Sequence, residues 1–402
     1  MFDLSSFISR YVTMRPQSMF ADDITANADA LSDGIRGKSI LVIGGAGSIG
    51  SSFIRAVLPY RPRTLVVADI NENALAELTR DLRSTKGMFV PEDYVPYPMD
   101  YASGVFRKMF AARGGFDIVA NFSAHKHVRS EKDIYSVEAL LRNNVLNAKS
   151  LLDLLEQYPP EVFFCVSTDK AANPVNIMGA SKRIMEDLVF SYSERFPVRT
   201  ARFANVAFSN GSLPLGFLTR ISRLQPISAP SDVKRYFVSP EESGQICMLS
   251  CMLGGNREIF FPKLERSRMK TFDSIAADLI REHGYEVLPC ASDAEALEKA
   301  EALKHGSLLY PVHFSVSDTS GEKAFEEFYT ESETLDTERF SALGIITDKA
   351  VPDRKALDML LSRLTDAFAK DSVSKEEIVE IIRSYLPNFA HIETGRSLDS
   401  KM

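Results

Sequence analysis

Two short clusters hold the side chains best suited to proton chemistry in this chain. The first is Ser167-Thr168-Asp169-Lys170, which follows the apolar run Val162–Val166. It sets hydroxyls, a carboxylate and an amine on consecutive residues at the end of an expected strand. The second is Met178-Gly179-Ala180-Ser181-Lys182, at the start of a segment with helical spacing. A thioether has no proton to exchange, so Met178 leaves acid–base work to its neighbours. Asp169 and Lys170 are the adjacent pair, and an acid beside a base suits a reaction that removes one proton and delivers another. The plainer reading of the pair is a strand-end ion pair capping the next segment, and of Met178 a core residue.

A second constellation points to a dinucleotide. Gly44-Gly45-Ala46-Gly47-Ser48-Ile49-Gly50 follows the apolar run Ser39–Ile43 and opens a helix. Gly44 permits the tight turn, Gly47 lets backbone approach a pyrophosphate, and Gly50 allows helix and strand to pack closely. The N–H groups at the helix start, Ser48 and Ile49 among them, then face the phosphates with the positive end of the helix dipole. Asp69 ends the next expected strand, where a carboxylate accepts ribose hydroxyls and repels a 2′-phosphate. No Arg follows in Ile70-Asn71-Glu72, so NAD is favoured over NADP. Asp100, after Tyr97-Pro98-Met99, stands where related folds meet the adenine; an ordinary N-cap is the alternative. Asn121-Phe122-Ser123-Ala124 ends another strand, where Ser123 would border the nicotinamide half.

Taken together, these residues resemble the polysaccharide-biosynthesis (CapD-like) dehydratases of the extended short-chain dehydrogenase superfamily. Among them the nucleotide-activated N-acetylglucosamine 4,6-dehydratases are the most similar. The likeness covers roughly residues 36–265 and resumes near 318–330. Its further marks are Lys126-His127-Val128, Asn143-Asn144-Val145, Ala171-Ala172-Asn173-Pro174, Arg202-Phe203-Ala204-Asn205-Val206, Lys234-Arg235-Tyr236-Phe237 and Gly321-Glu322-Lys323. Most relatives carry Tyr-x-x-x-Lys where this chain has Met178 and Lys182; the Asp-Lys pair with Met for Tyr is the most specific mark.

The resemblance implies a Rossmann-type fold, bound NAD, and dehydration across C5–C6 of the hexose in UDP- or GDP-linked N-acetylglucosamine. Oxidation at C4 acidifies the C5 proton, the C6 hydroxyl leaves, and hydride returns to C6. Asp169 is then the expected acid and Lys170 the expected base, with the reverse assignment open. Lys182 would bind nicotinamide ribose hydroxyls, Thr168 the C4 oxygen, and Met178 would pack beside the sugar. The C4 hydroxyl proton has three candidate routes: Thr168 as a relay, Asp169 itself, or water. Arg235 would contact the diphosphate, since Arg suits phosphate better than Lys does. Asn205 and Ser212 would line the nucleotide-sugar channel, Lys126 and His127 would lie near the sugar, and Glu322 with Lys323 would close the substrate lobe.

Departures from the family pattern are the absence of the membrane helices of larger members, Thr319-Ser320 in place of Arg-Pro, an insertion over 265–317 and a longer tail. That longer form resembles enzymes of nonulosonic (legionaminic-type) acid and O-antigen sugar pathways. A C4 epimerase and a non-catalytic NAD-binding protein are the competing readings. Subunits are expected to pair into a homo-oligomer through the helices around Val137–Gln157 and Ser181–Phe196.

The elements that must position these groups follow from periodicity. Short apolar runs at Ser39–Ile43, Thr64–Ala68, Asp117–Phe122, Val162–Val166 and Arg199–Val206 alternate with helical segments, including Ala74–Arg83 and Val137–Gln157. This pattern predicts an α/β fold, a doubly wound parallel sheet with a smaller mixed α/β substrate-binding lobe. Residues 1–36 read as an N-terminal helical extension, 37–206 as the NAD-binding domain, and 207–330 mainly as the substrate lobe. Residues 331–402 read as a C-terminal helical extension and tail, with Ser374-x-x-Glu377 as a capping signal.

Composition narrows the class. Of 402 residues 45% are apolar and 25% charged, with a formal net charge of −7, as in a soluble globular protein rather than a nucleic-acid binder. Cys165, Cys247, Cys251 and Cys290 lack paired metal-ligand spacing and read as buried thiols of a reducing compartment. No apolar run approaches the roughly 20 residues of a membrane span, and no signal-peptide core precedes Gly34, so a cytoplasmic protein is expected.

Overall fold

The computed structural model describes residues 2–127, 131–317 and 327–392. Val128, Thr319, Ser320, Gly321, Glu322, Lys323 and the tail beyond Ile392 lie outside them. The chain begins with α1 (Leu4–Phe7), a π-helical turn (Ile8–Val12), α2 (Ala21–Ala26) and α3 (Ala28–Ile35). Then β1 (Ser39–Ile43), β2 (Thr64–Asp69), β3 (Asp93–Pro98), β4 (Ile118–Asn121), β5 (Val162–Val166) and β6 (Val198–Ala201) follow. Between them run α4 (Ser48–Val57), α5 (Glu72–Ser84), α6 (Gly104–Ala112), α7 (Ile134–Leu141), α8 (Asn147–Gln157) and α9 (Ile177–Phe190).

The remainder holds β7 (Asn205–Val206), α10 (Leu213–Ser222), β8 (Ile227–Pro230), β9 (Lys234–Arg235), β10 (Phe237–Val238), α11 (Pro240–Leu253) and β11 (Glu258–Pro262). Next come β12 (Lys270–Thr271), α12 (Phe272–Glu282), β13 (Glu286–Cys290), α13 (Asp293–Lys299) and β14 (Leu309–Ser315). The last elements are β15 (Thr334–Asp336), β16 (Leu343–Thr347), α14 (Arg354–Phe368) and α15 (Lys375–Tyr385).

The main sheet has nine strands in the order β15-β16-β11-β6-β5-β4-β1-β2-β3. From β3 to β11 every pairing is parallel, and β16 and β15 close one edge antiparallel. Strand order reverses between β1 and β4, which places the ligand crevice of a doubly wound sheet at their carboxyl ends. β1, β4 and β5 are buried along almost their whole length because helices cover both faces.

Three elements differ from the sequence expectation. β3 contains Pro96 and Pro98 and went unrecognised; an edge strand tolerates them because, among the described residues, one side of its backbone pairs with no strand. The expected single strand over Arg199–Val206 breaks at Arg202, whose buried guanidinium turns to partners in the core, and β7 pairs instead with β10. Residues 331–402 are not wholly helical, since β15 and β16 rejoin the main sheet. There Gly344 lies opposite Phe261, and its missing side chain makes room for that ring. The 265–317 insertion is a small α/β unit whose strands β13 and β14 extend β8 into a parallel sheet.

Helix α9 lies at the centre of the molecule, and all but two of its fourteen residues are buried. α14 and α15 supply Leu357, Leu360, Leu364, Ile378 and Ile382 to the same core as Val137, Leu151 and Leu188. Each such aliphatic side chain contributes about 1.5–3 kcal/mol by leaving water. Tyr385 donates its hydroxyl to Asp187, and the Arg354 guanidinium lies 4.5 Å from the Tyr192 ring centre. The C-terminal helices thus meet α8 through Arg354 and Glu156 and α9 through Tyr385 and Asp187, two of the helices expected to pair subunits.

Candidate active site

Parallel strands deliver the site residues to one edge of the sheet. β1 and β4 are in register from Ile43 to Asn121, and β4 and β5 from Asn121 to Cys165. Gly44, Ser123 and Thr168 consequently emerge close together. Gly44 has φ +70°, and a Cβ there would lie 2.7 Å from the Ser123 backbone nitrogen. Only glycine lets the turn pass so near the end of β4. A Cβ on Gly50 would lie 2.4 Å from the Gly44 carbonyl oxygen, so turn and helix also touch directly.

Gly47 begins α4 without a side-chain cap, which leaves the first-turn N–H groups of Ser48 and Ile49 for an anion. Asp69 steadies the turn: one carboxylate oxygen accepts the Ala46 N–H at 3.0 Å and the other the Asn71 N–H at 2.9 Å. The same carboxylate keeps lone pairs for a diol. Asp100 accepts the Ala102 N–H at 2.9 Å, as a turn residue does. A glycine cradle, an uncapped helix start and a carboxylate at the end of β2 fit the pyrophosphate and ribose of a dinucleotide.

The Asp-Lys pair sits on a 3₁₀ turn, Asp169–Ala171, that Thr168 caps. Thr168 Oγ1 donates to Asp169 Oδ1 at 2.8 Å, and Lys170 Nζ donates to the same oxygen at 3.1 Å. Asp169 is nearly inaccessible, whereas Thr168 and Lys170 are half-buried. One carboxylate oxygen thus joins a hydroxyl to an amine. Met178 is buried at the start of α9, its side chain in the main core.

Lys182 donates to the Val166 carbonyl at 2.8 Å and touches the Met185 sulfur at 3.3 Å. Burial pushes its ammonium pKa down, while Cys165 and Glu186 pull it the other way. Lys126 is reachable by solvent yet walled by protein, and that partial burial pushes its ammonium pKa down; His125 is shifted down for the same reason. A Cβ on Gly211 would lie 2.8 Å from His127 Nε2, so the loop before α10 rests against His127. The Asn210 N–H donates to Ser48 Oγ at 2.8 Å, bringing the same loop to the phosphate turn.

The other expected substrate residues lie at the start of α10 and on β9 and β7. Ser212 caps α10, its hydroxyl accepting the Leu215 N–H at 3.4 Å. Arg235 is buried on β9 and donates to the Lys234 carbonyl at 2.9 Å. Asn205 donates its backbone N–H to the Tyr236 carbonyl at 3.2 Å.

Two positioning residues had no role in the sequence reading, where Asn144 stood only as a mark of the resemblance. Asn144 lies on a π-helical turn, Arg142–Leu146, between α7 and α8. Its side chain accepts the His125 N–H at 2.8 Å and donates to the His125 carbonyl at 2.9 Å and to Ser181 Oγ at 3.0 Å. An Asn pair inside an otherwise apolar helix was the available signal, since π-bulges gather at functional sites. Glu131 accepts the Met178 N–H at 2.8 Å and so holds the first turn of α9, a contact no local pattern announces.

Comparison with known proteins agrees with this architecture. The family model described as polysaccharide biosynthesis protein matches residues 40–347. An uncharacterized membrane protein of Methanocaldococcus jannaschii is 27% identical over 89% of this chain and 99% of its own length. Among the described residues, no helix is long and apolar enough to cross a membrane. A UDP-N-acetylglucosamine 4,6-dehydratase (inverting) of Campylobacter jejuni is 24% identical over 74% of this chain and 84% of its own. The probable polysaccharide biosynthesis protein EpsC of Bacillus subtilis is 28% identical over 65% of this chain, which spans 43% of that protein. The solved structure of Pen from Bacillus thuringiensis shares the fold, with TM-score 0.64 and 20% identity over 88% of this chain and 98% of its own. With its Rossmann-type sheet and a family match from β1 through β16, the chain belongs to the polysaccharide biosynthesis protein family.

Proposed function

We propose that this protein is an NAD-dependent sugar-nucleotide 4,6-dehydratase, acting on UDP-N-acetylglucosamine or its GDP-linked counterpart. The reading rests on one arrangement: Thr168 and Lys170 share a single oxygen of buried Asp169 beside a helix that offers Met178 in place of a phenol. Similarity to the UDP-N-acetylglucosamine 4,6-dehydratases (inverting) of Campylobacter jejuni supports the same reaction. The turn after β1 and Asp69 would hold the cofactor. When bound, NAD⁺ supplies hydride acceptance from C4 and the return of that hydride to C6.

The remaining work falls to side chains. Thr168 accepts the C4 hydroxyl proton while passing its own to Asp169, which leaves Asp169 protonated. Lys170 takes the C5 proton, and Asp169 returns its proton to the departing C6 hydroxyl as water forms. Lys170 then gives a proton back to C5. Protons and hydride balance, and the product is the 4-keto-6-deoxy sugar plus one water. Lys126 would meet an anionic or polar part of the sugar nucleotide.

Proton NMR and mass spectrometry after incubation with UDP- and GDP-N-acetylglucosamine test this reading. A product lighter by one water with a new C6 methyl signal is expected. Recovery of a C4 epimer of unchanged mass would replace the dehydratase with an epimerase.

A further inference from the structure

The strand end that carries Thr168, Asp169 and Lys170 is gripped by two successive turns of α9. Lys182 holds the Val166 carbonyl, and Glu186 Oε1 accepts the Ser167 hydroxyl at 2.6 Å. Spacing of four residues places Lys182 and Glu186 on one face of the helix. Val166 and Ser167 are consecutive, so the strand end has little room to shift or rotate.

Glu186 has no exposure at all. Its burial favours the neutral form, but Arg202 outweighs it and holds the carboxyl pKa below its ordinary value. Arg202, equally buried, forks onto it with Nε to Oε1 at 2.8 Å and Nη2 to Oε2 at 2.7 Å. Its remaining nitrogen donates to Glu333 Oε2 at 2.9 Å and to the Phe328 carbonyl at 3.1 Å. Glu333 also accepts the Thr330 N–H at 2.9 Å and pairs with Lys349. A continuous line of charge-assisted hydrogen bonds therefore runs from Ser167 through α9 and the exit of β6 to the segment before β15.

Buried ion pairs are a poor source of net stability, because desolvating both partners offsets most of their attraction. Their directional bonds do constrain geometry, bidentate Arg–carboxylate pairs above all. We propose that Glu186 and Arg202 are positioning residues for the Thr168-Asp169-Lys170 turn, and that Glu333 ties its placement to the 327–333 segment. The assignment of chemistry to that turn rests on the dehydratase reading; the mechanical coupling does not.

Hydrogen–deuterium exchange of the full-length protein tests the coupling without substrate. Ser167→Ala removes one hydrogen bond and leaves every ion pair intact, and Glu333→Gln weakens the far end. Both are expected to speed exchange selectively at amides 168–171. With substrate, Ser167→Ala should lower kcat about tenfold, roughly the orienting value of one hydrogen bond, with KM and bound NAD unchanged. Glu186→Asp should recover part of the turnover lost in Glu186→Ala. Exchange at 168–171 that stays at the wild-type rate in both variants, or that rises equally across the whole chain, would overturn the proposal. If the wild-type protein turns over neither sugar nucleotide, the exchange data still decide the coupling, and only the dehydratase reading falls.

Discussion

Thr168 Oγ1 and Lys170 Nζ both donate to one oxygen of Asp169, at 2.8 and 3.1 Å, on a turn too short to hold them apart. In the proposed dehydratase reading, the shared oxygen makes Asp169 the junction between the hydroxyl assigned to C4 and the amine assigned to C5. Asp169→Asn keeps the shape and abolishes the proton store. It is expected to lower kcat about 10²–10⁴-fold, the usual range for a general acid. Met178→Leu should stay within about threefold, because volume-conserving core swaps cost little. Turnover followed by NMR separates them, and equal losses would give Met178 an active role.

Lys170→Ala should stop incorporation of solvent deuterium at C5 while bound NAD is retained. The measurement is product isotope content by mass spectrometry, with NAD released from denatured protein as the control. Unchanged incorporation would remove Lys170 as the base.

The cradle around Gly44 and Gly50 leaves no room for a methyl group. Gly50→Ala sets a Cβ 2.4 Å from the Gly44 carbonyl oxygen, so turn or helix must move. Forced overpacking of this kind costs about 1–3 kcal/mol. A lower Tm is expected together with loss of co-purifying NAD; a normal cofactor content would mean the turn does not hold the pyrophosphate.

Glu333 makes stability depend on acid. Its burial favours the protonated form, but Arg202 and Lys349 outweigh it and hold the carboxyl pKa at about 2. A folded-state pKa below the unfolded one contributes stability that is present above the unfolded value. That contribution declines from about pH 4.5 as pH falls towards 2. Denaturation curves at pH 7, 4 and 3 should show the decline in the wild-type protein and a shallower one in Glu333→Gln. Parallel declines would show that Glu333 is not a source of the acid sensitivity.

Much of this protein was legible in one dimension. The glycine spacing at 44, 47 and 50, the carboxylate at 69 and the apolar runs at β1, β2, β4 and β5 report steric and periodic constraints that act over a few residues. The Asp169-Lys170 pair and the thioether at 178 were visible as residues, and the family resemblance at those positions gave them their expected roles. Only the folded chain decided that Glu186 takes the Ser167 hydroxyl and that Arg202 leaves its strand to reach Glu333. Asn144 as the brace of His125, and the contacts of the C-terminal helices with α8 and α9, likewise depended on folding. These pairings join residues from 19 to more than 200 positions apart. They depend on which helix face meets which strand end, and no local pattern encodes that choice.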